Sequence, residues 1–227
     1  MSRVARWVTV LLLAAHAACG SSEPGSSGGA GAGGTGGTRP GDGATCGGGS
    51  DDAGGAPPEL DAAPDGDCQA TVAPSPIEGA QHVPICSPVV YATNPPSSGN
   101  HYPIWADYRT YDRPILRGFW VHSLEHGAVV ISYNCPGGCA AEVASAQSFV
   151  DGLPADCGLM PRRVILTPDP DLDVRFAASA WGFTLRANCF DRHAFADFFS
   201  AHYDHAPESI CGGGTDPTEL CGPSICP

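Results

Sequence analysis

Two histidines and a glutamate stand close together in the segment FWVHSLEHGAVVISY. The order His122-Ser-Leu-Glu125-His126 is the H-x-x-E-H pattern of the inverted zinc peptidases. Imidazoles four positions apart on a helical turn lie on the same face, so both can bind one metal ion. A peptidase also needs a long helix and a distant acidic ligand. Because Gly127 follows at once and a β-branched run begins at Val129, we expect barely one turn of helix and no peptidase.

A metal site of another kind is the first hypothesis for these residues. His101 lies in a loop rich in proline and glycine, from which its ring can approach His122 and His126 and complete a set of three imidazoles. Three neutral imidazoles suit copper or zinc. Glu125 would then be a fourth ligand, or would accept a hydrogen bond that fixes the tautomer of one histidine.

A polar core is the alternative hypothesis for the same residues. In that interpretation the histidines donate to backbone carbonyls and Glu125 is their charge partner. The domain would then be a disulfide-stapled interaction module at the cell surface. The remaining histidines of the folded part are interpreted as loop or helix-surface residues. They are His82, His193, His202 and His205.

Cys135 and Cys139 form a second candidate site in the segment VVISYNCPGGCAAEVASAQSFV. We expect a strand before the pair and a helix after it, as in thioredoxin-like redox sites, where the helix N-terminus lowers the pKa of a thiol. The spacing is similar to that of the copper-delivering relatives of thioredoxin, which makes thiol or copper exchange a hypothesis. A structural disulfide is the alternative, because the chain has many other cysteines.

The first 18 residues have the features of an export signal: early arginines, a short apolar run and small residues before Cys19. Cleavage before Cys19 would give a lipoprotein anchored by acyl chains, whereas cleavage within AHAAC would release a secreted protein. We favour the lipoprotein because residues 19–67 form a flexible tether of Gly, Ser, Ala, Asp and Pro. His16 departs from the leucine that a lipoprotein box usually has at that position.

Composition narrows the compartment and the partners. Of the 11 cysteines, the ten that remain without Cys19 would form up to five disulfides in an oxidising compartment, so we predict an extracytoplasmic protein. The formal net charge of −13 argues against a nucleic-acid partner, and the absence of lysine excludes Schiff-base and P-loop chemistry. The membrane is the one partner that the sequence indicates. A binding protein fits these features better than an enzyme does.

The elements that must position the candidates alternate between strands and helices. GAVVISY and RRVILTPDP predict buried strands, and CAAEVASAQSFVDGL predicts a helix that stops at Gly152. VRFAASAWGFTLRANCF predicts one strand, or two interrupted at Gly182, and DRHAFADFFSAHYDHAPES predicts a helix capped by Asp191 and ended by Pro207. The fold class is therefore α+β: one disulfide-braced domain with a small mixed sheet and two or three helices. Its expected segments are a folded part at 68–210 and a Cys-rich tail at 211–227 packed on it.

The stretch NPPSSGNHYPIWADYRTYDRPILRGFWVHSLEHGAVVISY resembles the bacterial family catalogued as domain of unknown function 3105. That family has an N-P-P-x-S-G-x-H-Y-P loop, a V-H-x-L-E-H-G segment, an A-W-G segment and a closing A-P-E. In this sequence the motifs are residues 94–103, 121–127, 180–182 and 206–208. The resemblance implies an exported or membrane-tethered domain, draws attention to the loop with His101, and implies no activity. Cys135, Cys139 and the Cys-rich tail are not part of the family pattern.

Overall fold

The structure, a computed structural model, describes residues 68–158 and 161–220. Its strands and helices in chain order are β1 (Ala70–Pro74), α1 (Arg117–Glu125), β2 (Val129–Tyr133), α2 (Ala140–Asp151), β3 (Val164–Pro168), β4 (Phe176–Ala180), β5 (Phe183–Ala187) and α3 (Arg192–His202), with a 3-10 turn at Pro217–Glu219. The strands form one sheet in the order β1-β5-β4-β2-β3. β2 and β3 are parallel and α2 connects them, while the other neighbours are antiparallel. The predicted α+β class is confirmed.

Several local predictions are confirmed. β4 and β5 are two strands joined at Trp181 and Gly182, where Gly182 adopts a φ of +76° that favours glycine. The side chain of Asp191 accepts hydrogen bonds from the backbone amides of the first turn of α3, as an N-cap residue does. The end of α3 was predicted wrongly. The helix stops at His202, well before Pro207, because Tyr203 has extended backbone angles.

One face of the sheet packs against α2 and α3 in an apolar core. Alternate strand residues point to this face, as the period of a β-strand requires, and the helices add aromatic rings. The buried residues of this core are Val129, Ile131, Cys139, Ala146, Phe149, Val164, Leu166, Phe176, Ala178, Ala180, Leu185, Ala187, Phe195 and Phe198. We call this side of the sheet the α2/α3 face.

The opposite face of the sheet is covered by α1 and by the long segment between β1 and α1. Val130 and Ile165, which alternate with the residues of the first core, pack here against Phe119, Trp120 and Leu124 of the helix. Buried polar side chains also lie in this layer, which we call the α1 face. They include Ser97, Ser98, His101, His122, Ser123, Glu125 and His126.

The helix α1 is longer than the sequence predicted. It has nine residues, so the expectation of barely one turn is wrong. Every residue from Gly118 to Glu125 is buried, and a helix buried on all sides lacks the amphipathic period by which surface helices are recognised. The helix ends in a Schellman motif: the amide of Gly127, at φ +87°, donates to the carbonyl of Leu124, and the amide of Ala128 donates to that of Ser123.

Three disulfides brace the described residues: Cys68–Cys189, Cys135–Cys139 and Cys157–Cys211. Cys86 is not bonded to any other cysteine in the described part of the chain. Disulfides of this number indicate an oxidising, extracytoplasmic compartment. No helix among the described residues has the length and apolarity needed to cross a membrane.

The described part of the Cys-rich tail lies against the α1 face. The amide of Thr215 donates to the carbonyl of Trp105, and Asp107 donates back to the carbonyl of Thr215. Leu220 packs against the apolar residues of the same layer. The predicted export signal, Cys19 and the predicted tether at 19–67 lie outside the described residues.

Candidate metal centre

Three histidines and one glutamate meet beside α1. One potential ligand atom from each of His82, His101, His122 and Glu125 lies within 4.8 Å of those of the others. The three imidazole rings pack on one another, with centroids 5.1 Å apart for His82 and His101, 4.8 Å for His82 and His122, and 4.6 Å for His101 and His122. The rings of His101 and His122 are buried, whereas His82 is exposed, so the group reaches from the interior to the surface.

Backbone pairing places His82 beside His101. The amide of Val83 donates to the carbonyl of His101 at 2.8 Å, and the amide of His101 donates to the carbonyl of Gln81 at 3.1 Å. Gly99, at φ +121°, precedes this pairing, and a Cβ added there would lie 3.0 Å from the ring of Tyr91. The loop therefore needs glycine at this point and holds His101 in a fixed position.

The two buried histidines have the same tautomer. The Nδ1 atom of His122 lies 2.6 Å from the carbonyl oxygen of Tyr102, and the Nδ1 atom of His101 lies 2.9 Å from that of Gly99. A carbonyl oxygen only accepts, so each Nδ1 carries a proton and each Nε2 of the neutral ring carries a lone pair. Metal-binding histidines are oriented by carbonyls in this way. His122 and Glu125, three positions apart on α1, project from the same side of the helix.

Glu125 faces His101 without a normal hydrogen bond. Its Oε2 atom lies 3.1 Å from Nε2 of His101, but that nitrogen has no partner of hydrogen-bond geometry among the described residues. A carboxylate oxygen and an imidazole lone pair repel each other at this distance unless a proton or a cation lies between them. The contact is therefore compatible with both hypotheses, a metal site and a polar core.

Burial controls the protonation of the group. It lowers the pKa of His122 to about 3, with the ring of His101 adding to the effect. Burial also lowers the pKa of His101, although the hydrogen bond to Gly99 opposes the change. Burial, with a smaller contribution from the charge of Glu208, raises the pKa of Glu125 to about 7. The buried imidazoles are therefore neutral at neutral pH, as metal binding requires.

The ring of His126 also packs on that of His122, with centroids 4.6 Å apart, but its ligand atoms belong to an adjoining group. It shares a second set of ligand atoms, again within 4.8 Å of one another, with Glu125 and Glu208. Its Nε2 atom lies 3.1 Å from Oε2 of Glu208. The ring of Trp105 packs against both His122 and His126, with centroids 5.2 Å and 4.4 Å away, and so forms a wall shared by the two groups.

The predicted metal ligands are thus largely brought together. His101, His122 and Glu125 lie in one group, to which the structure adds His82. His126 lies in the adjoining group, which shares Glu125 with the first. The interpretation of His82 as a loop residue agrees with its exposure but missed its position. No local pattern relates it to His101, since their pairing is a contact between distant backbone segments.

Cys135 and Cys139 lie away from the histidines, on the α2/α3 face. They are bonded to each other, and Cys139 is the N-cap residue of α2. The expected layout of strand, cysteine pair and helix is present. Thiol or copper exchange at this pair stays a prediction.

A profile of the family described as "Protein of unknown function (DUF3105)" matches residues 82–213, more than half of the chain. The chain belongs to the DUF3105 family. The resemblance inferred from the sequence motifs is confirmed. The matched region begins at His82 and includes Glu208, so both groups of ligand-type side chains fall inside it. No curated protein and no solved structure matches this DUF3105 protein.

Proposed function

We propose that this DUF3105 protein binds one copper(II) or zinc ion through His82, His101, His122 and Glu125. The observation that carries the proposal is that one ligand atom from each of the four side chains lies within 4.8 Å of the others, and the shared tautomer of the two buried histidines is compatible with it. Each has its Nδ1 proton held by a backbone carbonyl, which leaves Nε2 as the atom available to a metal. Histidines of a polar core could make the same carbonyl bonds, but that role does not require four ligand atoms to converge.

The donor set suits these two metals. Three imidazoles and one carboxylate are ligands that zinc and copper(II) both accept, whereas magnesium and calcium prefer oxygen alone. The buried part of the set is neutral apart from Glu125, so little proton competition from the imidazoles is expected at neutral pH. The exposed position of His82 gives an ion a route from solvent.

The site would operate outside the cytoplasm. The disulfides support an oxidising compartment. Together with the export signal they support a domain tethered to a membrane through acyl chains on Cys19. Membrane fractionation tests this part: the wild-type protein should sediment with membranes, and a Cys19→Ser variant should not.

A structural role for the histidines is the second candidate function. It is favoured by the two pairs of histidine with glutamate, His101 with Glu125 and His126 with Glu208, both 3.1 Å apart. In that case the domain would be an interaction module whose polar groups position one another. A shared proton would then lie between Glu125 and His101 where the proposal places an ion.

Metal content decides between the two functions. The protein is prepared in an oxidising compartment, exposed to copper or zinc, dialysed and analysed for metal, beside a His101→Gln, His122→Gln double variant. His193→Gln is the matched control, because that side chain is 99% exposed and lies outside both groups. We expect retained metal in the wild type and the control, and at least one ion fewer in the double variant with unchanged circular dichroism. Absence of retained metal in the wild type would contradict the proposal.

A further inference from the structure

We infer that the DUF3105 protein has a second cation site, formed by Glu125, His126 and Glu208, and that the Glu125 carboxylate bridges two metal ions. The inference rests on the proposed function, because the first ion is the one bound by His82, His101 and His122. It adds a different donor set and turns a single site into a two-metal centre.

The geometry of the second group supports a ligand site. Its three potential ligand atoms lie within 4.8 Å of one another, and Glu125 belongs to both groups. His126 is 2% exposed, and its Nδ1 atom has no hydrogen-bond partner among the described residues. Its tautomer is therefore not fixed by a carbonyl, unlike those of His101 and His122. The other ring nitrogen, Nε2, faces Oε2 of Glu208 at 3.1 Å, and a buried imidazole grouped with two carboxylates in this way is a side chain for which a cation is a suitable partner.

Glu208 is held at this place although half of its side chain is exposed. Its backbone amide donates to the carbonyl of Glu125 at 3.2 Å, and the amide of Asp204 donates to the carbonyl of Gly127 at 2.9 Å. Arg163 pairs with Asp204, and the Cys157–Cys211 disulfide closes the other end of the segment. The segment thus lies directly on the C-terminal end of α1.

Gly127 makes this close approach possible. A Cβ at that position would lie 2.8 Å from Nη1 of Arg163 and 3.0 Å from the Cα atom of Asp204. The glycine that ends α1 therefore also admits the chain that brings Glu208 to His126. Two motifs that are far apart in the sequence, the dipeptide at 126–127 and the A-P-E motif at 206–208, therefore lie at one site.

The charges favour a cation there. Glu125 is buried, and Glu208 lies close enough to share a set of ligand atoms with it. Two carboxylates in such proximity repel each other, and a divalent ion between them removes the repulsion. Carboxylates commonly bridge the ions of two-metal sites, which lie about 3.5–4 Å apart. Two carboxylates and one imidazole form a harder donor set than the first group, and zinc is an ion that both sets accept.

Zinc stoichiometry tests the inference. The probe is zinc alone, titrated into the metal-free protein and measured by calorimetry and by elemental analysis after dialysis. We expect two zinc ions per chain in the wild type, one in Glu208→Gln and at most one in Glu125→Gln, where the bridging carboxylate is lost and the three imidazoles remain. Asp112→Asn is the matched control, since it removes an exposed carboxylate outside both groups and should leave two ions bound.

The outcomes separate this inference from the proposed function. One ion in the wild type, retained in Glu208→Gln and lost in the His101→Gln, His122→Gln variant, would overturn the second site and leave the first intact. One ion that is lost in Glu208→Gln but retained in the double variant would overturn the first site and the bridge. No bound zinc in the wild type would overturn both. Because Glu208 is at the surface, the Glu208→Gln variant is expected to fold, and His126→Gln provides an independent second test.

Discussion

The two faces of the sheet differ in the side chains that cover them. On the α2/α3 face, phenylalanines of both helices pack on alternating aliphatic strand residues. On the α1 face, histidines, serines and a glutamate are buried among tyrosines and tryptophans. The same five strands therefore separate an apolar core from a layer rich in polar groups.

The polar layer contains groups that are costly to bury. Buried atoms without a hydrogen-bond partner in the described residues include Ser97 Oγ, Trp105 Nε1, Tyr108 Oη and His126 Nδ1. Each such atom costs about 1–3 kcal/mol relative to a satisfied one. A layer whose only role was to stabilise the fold would not be expected to contain several unsatisfied polar atoms. The comparison indicates that the α2/α3 face stabilises the domain, while the α1 face is organised around its ligand-type side chains.

The largest expected effect comes from breaking the stabilising face. Phe195 is 1% exposed and packs against Phe190 with a centroid distance of 4.7 Å. Phe195→Ala should lower the free energy of unfolding by about 3–5 kcal/mol, because it leaves a cavity in the core. Urea unfolding of the metal-free protein measures the change. The folded fraction should still bind zinc with the wild-type stoichiometry, and a reduced stoichiometry would show that the two faces are not independent.

Zinc binding on the α1 face should increase the free energy of unfolding by a similar amount. An ion that binds only the folded protein adds about 4 kcal/mol at a free concentration a thousandfold above its dissociation constant. We therefore expect zinc to raise the melting temperature of the wild type and of Phe195→Ala alike. The His101→Gln, His122→Gln variant, which keeps the group of Glu125, His126 and Glu208, should show a smaller increase. An equal increase in that variant would mean that zinc does not act at the group of His82, His101 and His122.

The sequence predicted the α2/α3 face more accurately than the α1 face, for a physical reason. The helices α2 and α3 bury one side and have apolar residues at helical spacing, while β2 and β3, buried on both faces, are mostly apolar runs bounded by Gly, Asn or Pro. The cap at Asp191 and the turn at Gly182 are local signals, and both are confirmed. The helix α1 is buried all round and has no such period. Gly127 marked where it ends, but no residue marked where it begins.

The ligand group was predicted only in part, because some of its members are neighbours in the sequence and others are brought together by contacts between separate segments. His122, Glu125 and His126 form a local motif, and the family resemblance singled out the loop of His101. His82 joins through backbone pairing between distant segments, which composition and spacing do not encode. Glu208 lies in the A-P-E motif, so its sequence signal existed, but nothing in the sequence joined that motif to the end of α1.

A smaller effect separates a metal site from a polar core on the α1 face. The pKa of Glu125 is raised from 4.5 to about 7 by burial, so its ionisation destabilises the metal-free folded state. This cost grows as the pH rises from about 4.5 to about 7 and is fully present at pH 8, since the unfolded chain has already lost the proton. Glu125→Gln removes the charge, and its amide can donate to the lone pair of His101.

We expect Glu125→Gln to increase the stability of the metal-free protein at pH 8 by about 1–2 kcal/mol, less than the full pKa shift implies because the site relaxes. Little difference should remain at pH 4.5, where Glu125 is protonated in the folded state. Thermal unfolding at the two pH values, with metal removed by chelation, measures this. A loss of stability at pH 8 would instead identify Glu125 as a stabilising charge partner, as the polar-core interpretation holds.

The smallest expected effect concerns the α2/α3 face and the carboxylate of Asp191, whose role is to cap α3. Asp191 accepts hydrogen bonds from the amides of His193 at 2.8 Å and Ala194 at 3.3 Å, so Asp191→Ala should cost about 1 kcal/mol. Unlike Glu125→Gln, it should be destabilising at pH 8, because the ionised carboxylate favours the helix N-terminus. Zinc stoichiometry should be unchanged. Both changes in stability are measured at pH 8 without metal. If Glu125→Gln stabilises the protein and Asp191→Ala destabilises it, the α1 face contains a charge that lowers stability and the α2/α3 face does not. If both changes have the same sign, that distinction between the faces is lost.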